Sequence, residues 1–473
     1  RAPLRAAPPG ATYAGVRPAL LRGRQPRPAA APAPAAGAGA PAACEGEDAQ
    51  IEEIAELQEI EERRLEKLFE EHKGQFGLDH ETTLKTFFKL FDMWIQLYRL
   101  NKCKDALEDI VPICRRRGGN WHIQGVQALA FTVWKQSKFE QAIELFHEIE
   151  ELVGSSAALC ENIGHSYSSI GNYDEASRYF RKALVCNDEE EKRGKKTGDR
   201  AGVLLGLGLI EERLGHLEKA LIATREAQQL FRQRADGKPS SLVAKAGMSI
   251  AKILMKLSKL EGSEAKRKEM DEEAVEIERE NVVLFEVTCG VESPLTASAL
   301  RGLGEALLRT GGLKEAQETI ARSYLLEAQK DAFDLLAVME VHNLLFSAHM
   351  AAMQATGEID RPAFRGYANL IDTAERRVRA MQQDSNAGAY YKVAGEMKAF
   401  AEDYEGAARL LSDAVALFET EEPDKVAGLI QSSLDLKEFC LKQAAVGSAT
   451  AASGSAAAGA GARTSHGRAS ASE

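Results

Sequence analysis

From residue 74 to about residue 443 apolar side chains recur at three- and four-residue intervals, the spacing that gives a helix one buried stripe. No segment alternates apolar and polar residues as a half-buried strand would. Prolines are rare in this stretch and stand mostly at helix boundaries (Pro239, Pro294, Pro362, Pro423). The pattern predicts about eight helix pairs, with first helices near residues 87, 123, 157, 201, 240, 297, 333 and 388. A terminal capping helix follows over residues 423–443. The fifth and seventh pairs are degenerate and rest mainly on helical periodicity.

The pairs resemble one another. Setting NIGHSYSSIGNYDEASRYFRKAL (162–184) against ALAFTVWKQSKFEQAIELFHEIE (128–150) superposes Ala142 on Ala176, a step of 34 residues. Ala130 then matches Gly164, Phe139 matches Tyr173, and Phe146 matches Phe180. LGLGLIEERLGHLEKAL, GLGEALLRTGGLKEAQ and AGEMKAFAEDYEGAARLL repeat the scheme, with small residues at Gly208, Gly304 and Gly395 and alanines at Ala220, Ala316 and Ala407. A small residue on one helix and an alanine on the next permit close antiparallel approach, and large residues such as Tyr167 fill the layer between pairs. One pair cannot bury its own apolar face, so only a stack of pairs is stable.

This pattern resembles the tetratricopeptide repeat, and the resemblance runs over residues 78–442. It implies an all-α fold, a right-handed superhelical solenoid of antiparallel helix pairs. Two boxes, FGLDHETTLKTF (76–87) and CGVESPLTASAL (289–300), are similar to the Gly-x-x-His-Pro-x-Thr box of the longer repeats of kinesin light chains and their relatives. Glu81 replaces the proline in the first, and Ser293 replaces the histidine in the second. The long heptad region of kinesin light chain itself is missing.

The flanks differ in composition. Residues 1–48 open with an Ala/Pro/Gly-rich stretch holding six arginines and no acid before Glu45, which predicts a disordered extension or a transit peptide. Residues 45–72 carry 12 acidic side chains against three basic ones, interleaved with Ile51, Ile54, Leu57, Ile60, Leu65, Leu68 and Phe69. That predicts an acidic amphipathic helix over 49–73, docked as a lid on the first pair rather than self-associating as a coiled coil. Residues 444–473 are Ala/Ser/Gly-rich and read as a disordered tail. The location expected is cytoplasmic or, with a transit peptide, chloroplast or mitochondrion.

A net charge of −11 argues against general nucleic-acid binding. No run approaches the ~18 uninterrupted apolar residues of a membrane span. Seven scattered cysteines without a Cys-x-x-Cys pair predict reduced, mostly buried thiols.

Chemistry is hard to find. The glycine pairs 206/208 and 302/304 do not continue as a phosphate-binding motif and fit helix packing. The nine histidines form no metal pattern, and no nucleophile elbow occurs. The reading is a non-enzyme without cofactor or metal. Basic clusters at 115–117, 192–196, 266–268 and 376–379 read as solvated charge.

The resemblance implies a ligand groove lined by first helices. Carrying its positions over gives Phe91, Ile95 and Tyr98 in the first pair, Gln127, Phe131, Trp134 and Lys135 in the second, and Glu161, Asn162 and His165 in the third. This aromatic-rich set suits an apolar peptide or helix of a partner protein. Asn162 matches the asparagine of the clamp that grips chaperone C-terminal tails. Gln127, Phe131, Gly202 and Gly206 stand where that clamp needs Lys, Asn and basic residues, which argues against such a tail. The expected function is a protein-interaction scaffold; the alternative is an organellar helical-repeat RNA-binding factor.

Overall fold

The computed structural model describes residues 44–461 apart from 195–197, 331–332, 382–384 and 422. Among the described residues there are 18 helices and no strand. The chain divides into two compact units, residues 1–227 and 228–473, with the boundary inside α9. The first unit holds α1 (Cys44–Phe76), α2 (Glu81–Gln96), α3 (Leu100–Arg117), α4 (Gly119–Lys135), α5 (Phe139–Val153), α6 (Ala157–Ser169), α7 (Tyr173–Lys192), α8 (Arg200–Arg213) and most of α9 (Leu217–Ala235). The second holds α10 (Ser241–Leu260), α11 (Glu264–Cys289), α12 (Pro294–Thr310), α13 (Leu313–Gln329), α14 (Leu335–Thr356), α15 (Arg361–Arg379), α16 (Ser385–Phe400), α17 (Tyr404–Phe418) and α18 (Pro423–Gly461). The eight pairs run from α2/α3 to α16/α17, and α18 packs on α17.

Six pairs turn in the same way. A residue just past the end of the first helix adopts left-handed φ: Tyr98, Ser137, Gly171, Gly215, Gly311 and Glu402. The next residue's N–H then reaches a carbonyl five residues back, as in Arg99 to Trp94, Asn172 to Tyr167 and Asp403 to Lys398. These bonds satisfy carbonyls that the helix end would orphan. Glycine is at home in that conformation; tyrosine, serine and glutamate adopt it at a cost.

The glycine pairs are packing devices facing two ways. A Cβ on Gly206 would sit 2.7 Å from the Phe180 ring of the preceding pair, whereas one on Gly208 would strike Thr224 of its own pair. Gly302 likewise faces Glu278 on α11, and Gly304 faces Ile320 on α13. Gly164 approaches Phe180 from the other side, and Gly395 lies against Leu411. Ala130, Ala142, Ala176, Ala220, Ala316 and Ala407 are all fully buried, and so is Phe180; Phe146 is nearly so.

The two boxes fold alike despite their substitutions. Gly77 and Gly290 take positive φ, and Thr83 and Thr296 hydroxyls donate back to their carbonyls at 2.9 and 2.8 Å. His80 caps α2 by accepting from Thr82 N, and Ser293 caps α12 by accepting from Leu295 N. Either residue offers an acceptor at the N-cap, so serine replaces histidine without altering the turn.

The acidic helix docks on the first pair. Phe69 and Leu65 join the core of α2 and α3, and Lys102 holds Glu62 and Glu66, both at 2.7 Å. Trp94 Nε1–H donates to Glu66 at 3.2 Å. α1 is longer than the span of 49–73 that the pattern predicts.

One further expectation changes. α18 stays helical to Gly461, past the tail boundary set at residue 444, because its alanines are strong helix formers. Residues 1–43 and 462–473 lie outside the described residues, so most of the N-terminal extension does too. α14 is long and apolar enough to cross a membrane by length and composition, although no uninterrupted apolar run occurs. It carries Glu340, His342, Asn343 and His349, and packs against α13 and α16. The six described cysteines are free thiols, four of them buried; burial pushes Cys103 and Cys160 up to about 12.

Candidate functional site

The first-helix positions expected to line a groove separate into two groups. Phe91 is only 6% exposed and sits with Leu84, Phe87 and Trp94 in the core beneath α1. Ile95 packs on the same cluster. Phe91 is therefore not a contact residue: α1 adds a layer against α2 and turns that face inward. Glu161, 4% exposed, is also withdrawn; it lies 3.8 Å from His165 Nε2 and faces Gly202 of the next pair.

The remaining positions stay accessible. Gln127 is exposed on α4, and Phe131, Trp134 and Lys135 are half-buried. Asn162 and His165 are half-buried on α6, with the His165 ring edge-on to Phe180 at 4.9 Å. Trp134 also braces the core, meeting Phe139 edge-on at 6.1 Å. Tyr98, from the turn between α2 and α3, is 64% exposed and belongs to no buried cluster.

Lys135 draws three of these residues together. Its Nζ lies 5.1 Å from the Tyr98 ring centroid, 5.7 Å from Phe131 and 5.9 Å from Trp134. All three distances are within the range where an ammonium is attracted to a ring face. The surface is thus aromatic, with one cation at its middle. Tyr167 and Tyr173 lie elsewhere: Tyr167 stacks on Tyr179 at 5.7 Å beside His147, and Tyr173 lies under Arg213.

Basic clusters mostly meet carboxylates. Arg115 makes a two-pronged contact with Glu148 at 3.0 and 2.6 Å, and Arg117 pairs with Asp79. Arg379 pairs with Glu375 and Asp413. Sequence reasoning missed one polar cleft of about 670 Å³, lined by Asp372, Glu375, Arg376, Lys398, Asp403 and Arg409. Lys398 is buried there between Asp372 at 2.7 Å and Asp403 at 3.1 Å. No periodic signal marks such a cleft, because each residue looks like ordinary surface charge in its own helix.

Among known proteins, the tetratricopeptide-repeat model matches residues 157–184, which span α6 and the first part of α7. No curated protein matches the sequence. Among solved structures, BtubC (BKLC) from P. vanneervenii is 18% identical over 58% of this chain and 91% of its own, with a TM-score of 0.38. The C-terminal part of a tetratricopeptide-repeat protein from Cytophaga hutchinsonii is 14% identical over 65% and 98%, at 0.42. Kinesin light chain repeats from Podosopora anserina are 15% identical over 44% and 95%, at 0.35. The chain thus carries a tetratricopeptide repeat at residues 157–184, set within an all-α array of helix pairs.

Proposed function

We propose that the chain is a protein-interaction scaffold that holds a peptide or helix of a partner against the α4 and α6 surface of its first unit. The observation that carries this reading is the accessible aromatic group of Tyr98, Phe131 and Trp134, gathered around Lys135 and flanked by Gln127, Asn162 and His165. Aromatic anchors beside amide and imidazole groups combine large contact area with directional hydrogen bonds. The role is non-catalytic and needs no cofactor. Protein partners suit this surface better than RNA does, since one lysine among aromatics supplies little phosphate neutralisation.

The test is the full chain beside its Phe131→Ala/Trp134→Ala variant, each immobilised and exposed to native lysate. Proteins retained by the wild type should be lost from the variant while its far-ultraviolet helical signal persists. Trp134 also packs on Phe139, so a fall in helical signal would reassign both residues to packing. Equal retention would place the partner site elsewhere, and nuclease-sensitive retention alone would favour RNA.

A further inference from the structure

We infer that Cys160 on α6 and Cys186 on α7 form a reversible dithiol–disulfide site, closed by exchange with a small disulfide such as oxidised glutathione. The inference does not rest on the partner reading. The register of the two antiparallel helices sets the cysteines opposite one another. At one end Glu190 Oε1 accepts from the Ala157 N–H at 3.1 Å, and further along a Cβ on Gly164 would sit 3.2 Å from the Phe180 ring. Cys160 lies between Ala157 and Gly164 on α6, and Cys186 lies between Phe180 and Glu190 on α7, so both stand at the same level of the contact. The two thiols are in hydrogen-bonding contact, and Cys186 packs on the buried cluster that contains Cys160. A disulfide needs its two β-carbons close together, which facing positions on closely packed antiparallel helices supply.

The two sulfurs differ in a way that assigns their order of reaction. Cys160 is fully buried, whereas Cys186 is half-buried and within reach of a small reagent. The Cys160 S–H donates to the Cys186 sulfur, and Lys182 lies close enough to both to favour their ionised forms. The hydrogen bond favours the thiolate at Cys186, which is the attacking group in exchange. Cys186 attacks one sulfur of oxidised glutathione, breaking its S–S bond and releasing one glutathione. The Cys160 sulfur then attacks the Cys186 sulfur of the mixed disulfide and releases the second. Two S–H bonds and one S–S bond break, one S–S and two S–H bonds form, and the cysteine protons leave on the two glutathione thiols. Burial opposes ionisation of both cysteines, so exchange is slow and the equilibrium, not the rate, defines the site. Once formed, the bond ties α6 to α7.

The test equilibrates the full chain in glutathione buffers of rising disulfide content, then alkylates it, digests it without reduction and maps it by mass spectrometry. A peptide linked through Cys160 and Cys186 should accumulate with the disulfide content and vanish on return to reduced buffer. Because the fold holds the thiols together, the link should form roughly a hundredfold more readily in the folded chain than in urea, the scale expected for a closed loop of this length. The oxidised chain should also show a higher denaturant midpoint for the first unit, a gain that Cys186→Ser lacks. Links joining other cysteines or separate chains in place of this pair, or glutathione retained on Cys186, would overturn the site. So would a linked peptide no more favoured in the folded chain than in the unfolded one. The wild-type map decides by itself, so a variant that fails to fold leaves the test intact.

Discussion

Glu211 in the first unit and Glu278 in the second are both almost fully buried, at 1% and 2% exposure, yet they are held in opposite ways. Glu211 accepts from the Ser177 hydroxyl and from Arg181, both at 2.6 Å, and from His216 at 2.8 Å. Burial pushes its pKa up, but these partners together hold it below the ordinary carboxylate value. Glu278 has one donor, Asn281 Nδ2–H at 3.0 Å, and no cation. Burial, with a small addition from Glu305, pushes it up to about 7. Both sites are made by close helix approach, and Gly302 leaves room beside Glu278. A buried carboxylate in this kind of array is thus tolerated either by gathering donors from neighbouring helices or by keeping its proton.

The largest expected effect comes from breaking the first arrangement. Glu211→Ala leaves the Ser177 hydroxyl buried without its acceptor and Arg181 without its carboxylate. The loss should be about 3 kcal/mol, read as a lower denaturant midpoint for the first unit. Glu211→Gln should lose less, since its carbonyl still accepts from Ser177. The sign with pH follows from the depressed value: this contribution is present above the ordinary carboxylate pKa of 4.5 and disappears as pH falls through the lower folded value. Equal effects of Ala and Gln would mean that charge pairing, not the hydrogen bond, holds α7 to α8.

Glu278 should behave in the reverse sense. Its folded pKa of about 7 lies above the ordinary 4.5, so stability is full below 4.5 and is lost as pH rises through 7. Between pH 5 and pH 8 the wild type should lose about 2–3 kcal/mol that Glu278→Gln does not. Hydrogen exchange of α11 and α12 peptides, corrected for intrinsic rates, would show it. The same exchange profile in both proteins would mean that Glu278 is ionised and paired. His342, fully buried between the rings of Tyr324 and Tyr390, is lowered to about 4, so its contribution is lost in the opposite direction, as pH falls.

The fold was readable because its determinants are small residues at fixed offsets. Gly208, Gly304 and Gly395 with Ala220, Ala316 and Ala407 mark where helices touch, and no other role explains glycine within a helix. The first-helix positions followed, including the degenerate α10 and α14. What was not readable is which polar residues point inward. Glu278 lies in the run DEEAVEIERE, which looks like solvated surface; only the neighbouring glycine at 302 hints otherwise. Phe91 was misplaced for a related reason. Its helix has an extra neighbour, α1, whose docking depends on Glu62, Glu66 and Phe69 meeting Lys102, Trp94 and Phe87 across the chain.

The contrast between compensated and uncompensated groups extends to the backbone, where the expected effects are smallest. Ser137 and Glu402 hold the same left-handed turn position, at φ +60° and +68°. Glu402 is tied to Arg361 at 3.1 Å and also to Arg365, whereas Ser137 is an exposed short side chain. Glycine at either position relieves the backbone strain but enlarges the freedom of the unfolded chain, so the balance depends on what the side chain was doing. Ser137→Gly should raise stability by about 0.5–1 kcal/mol, because the left-handed cost exceeds the lost unfolded-state restriction. Glu402→Gly should give no such gain, because it also releases two arginines on α15. A matching gain from both, measured as midpoints of the respective units, would show that the Glu402 ion pairs contribute nothing, as many exposed pairs do.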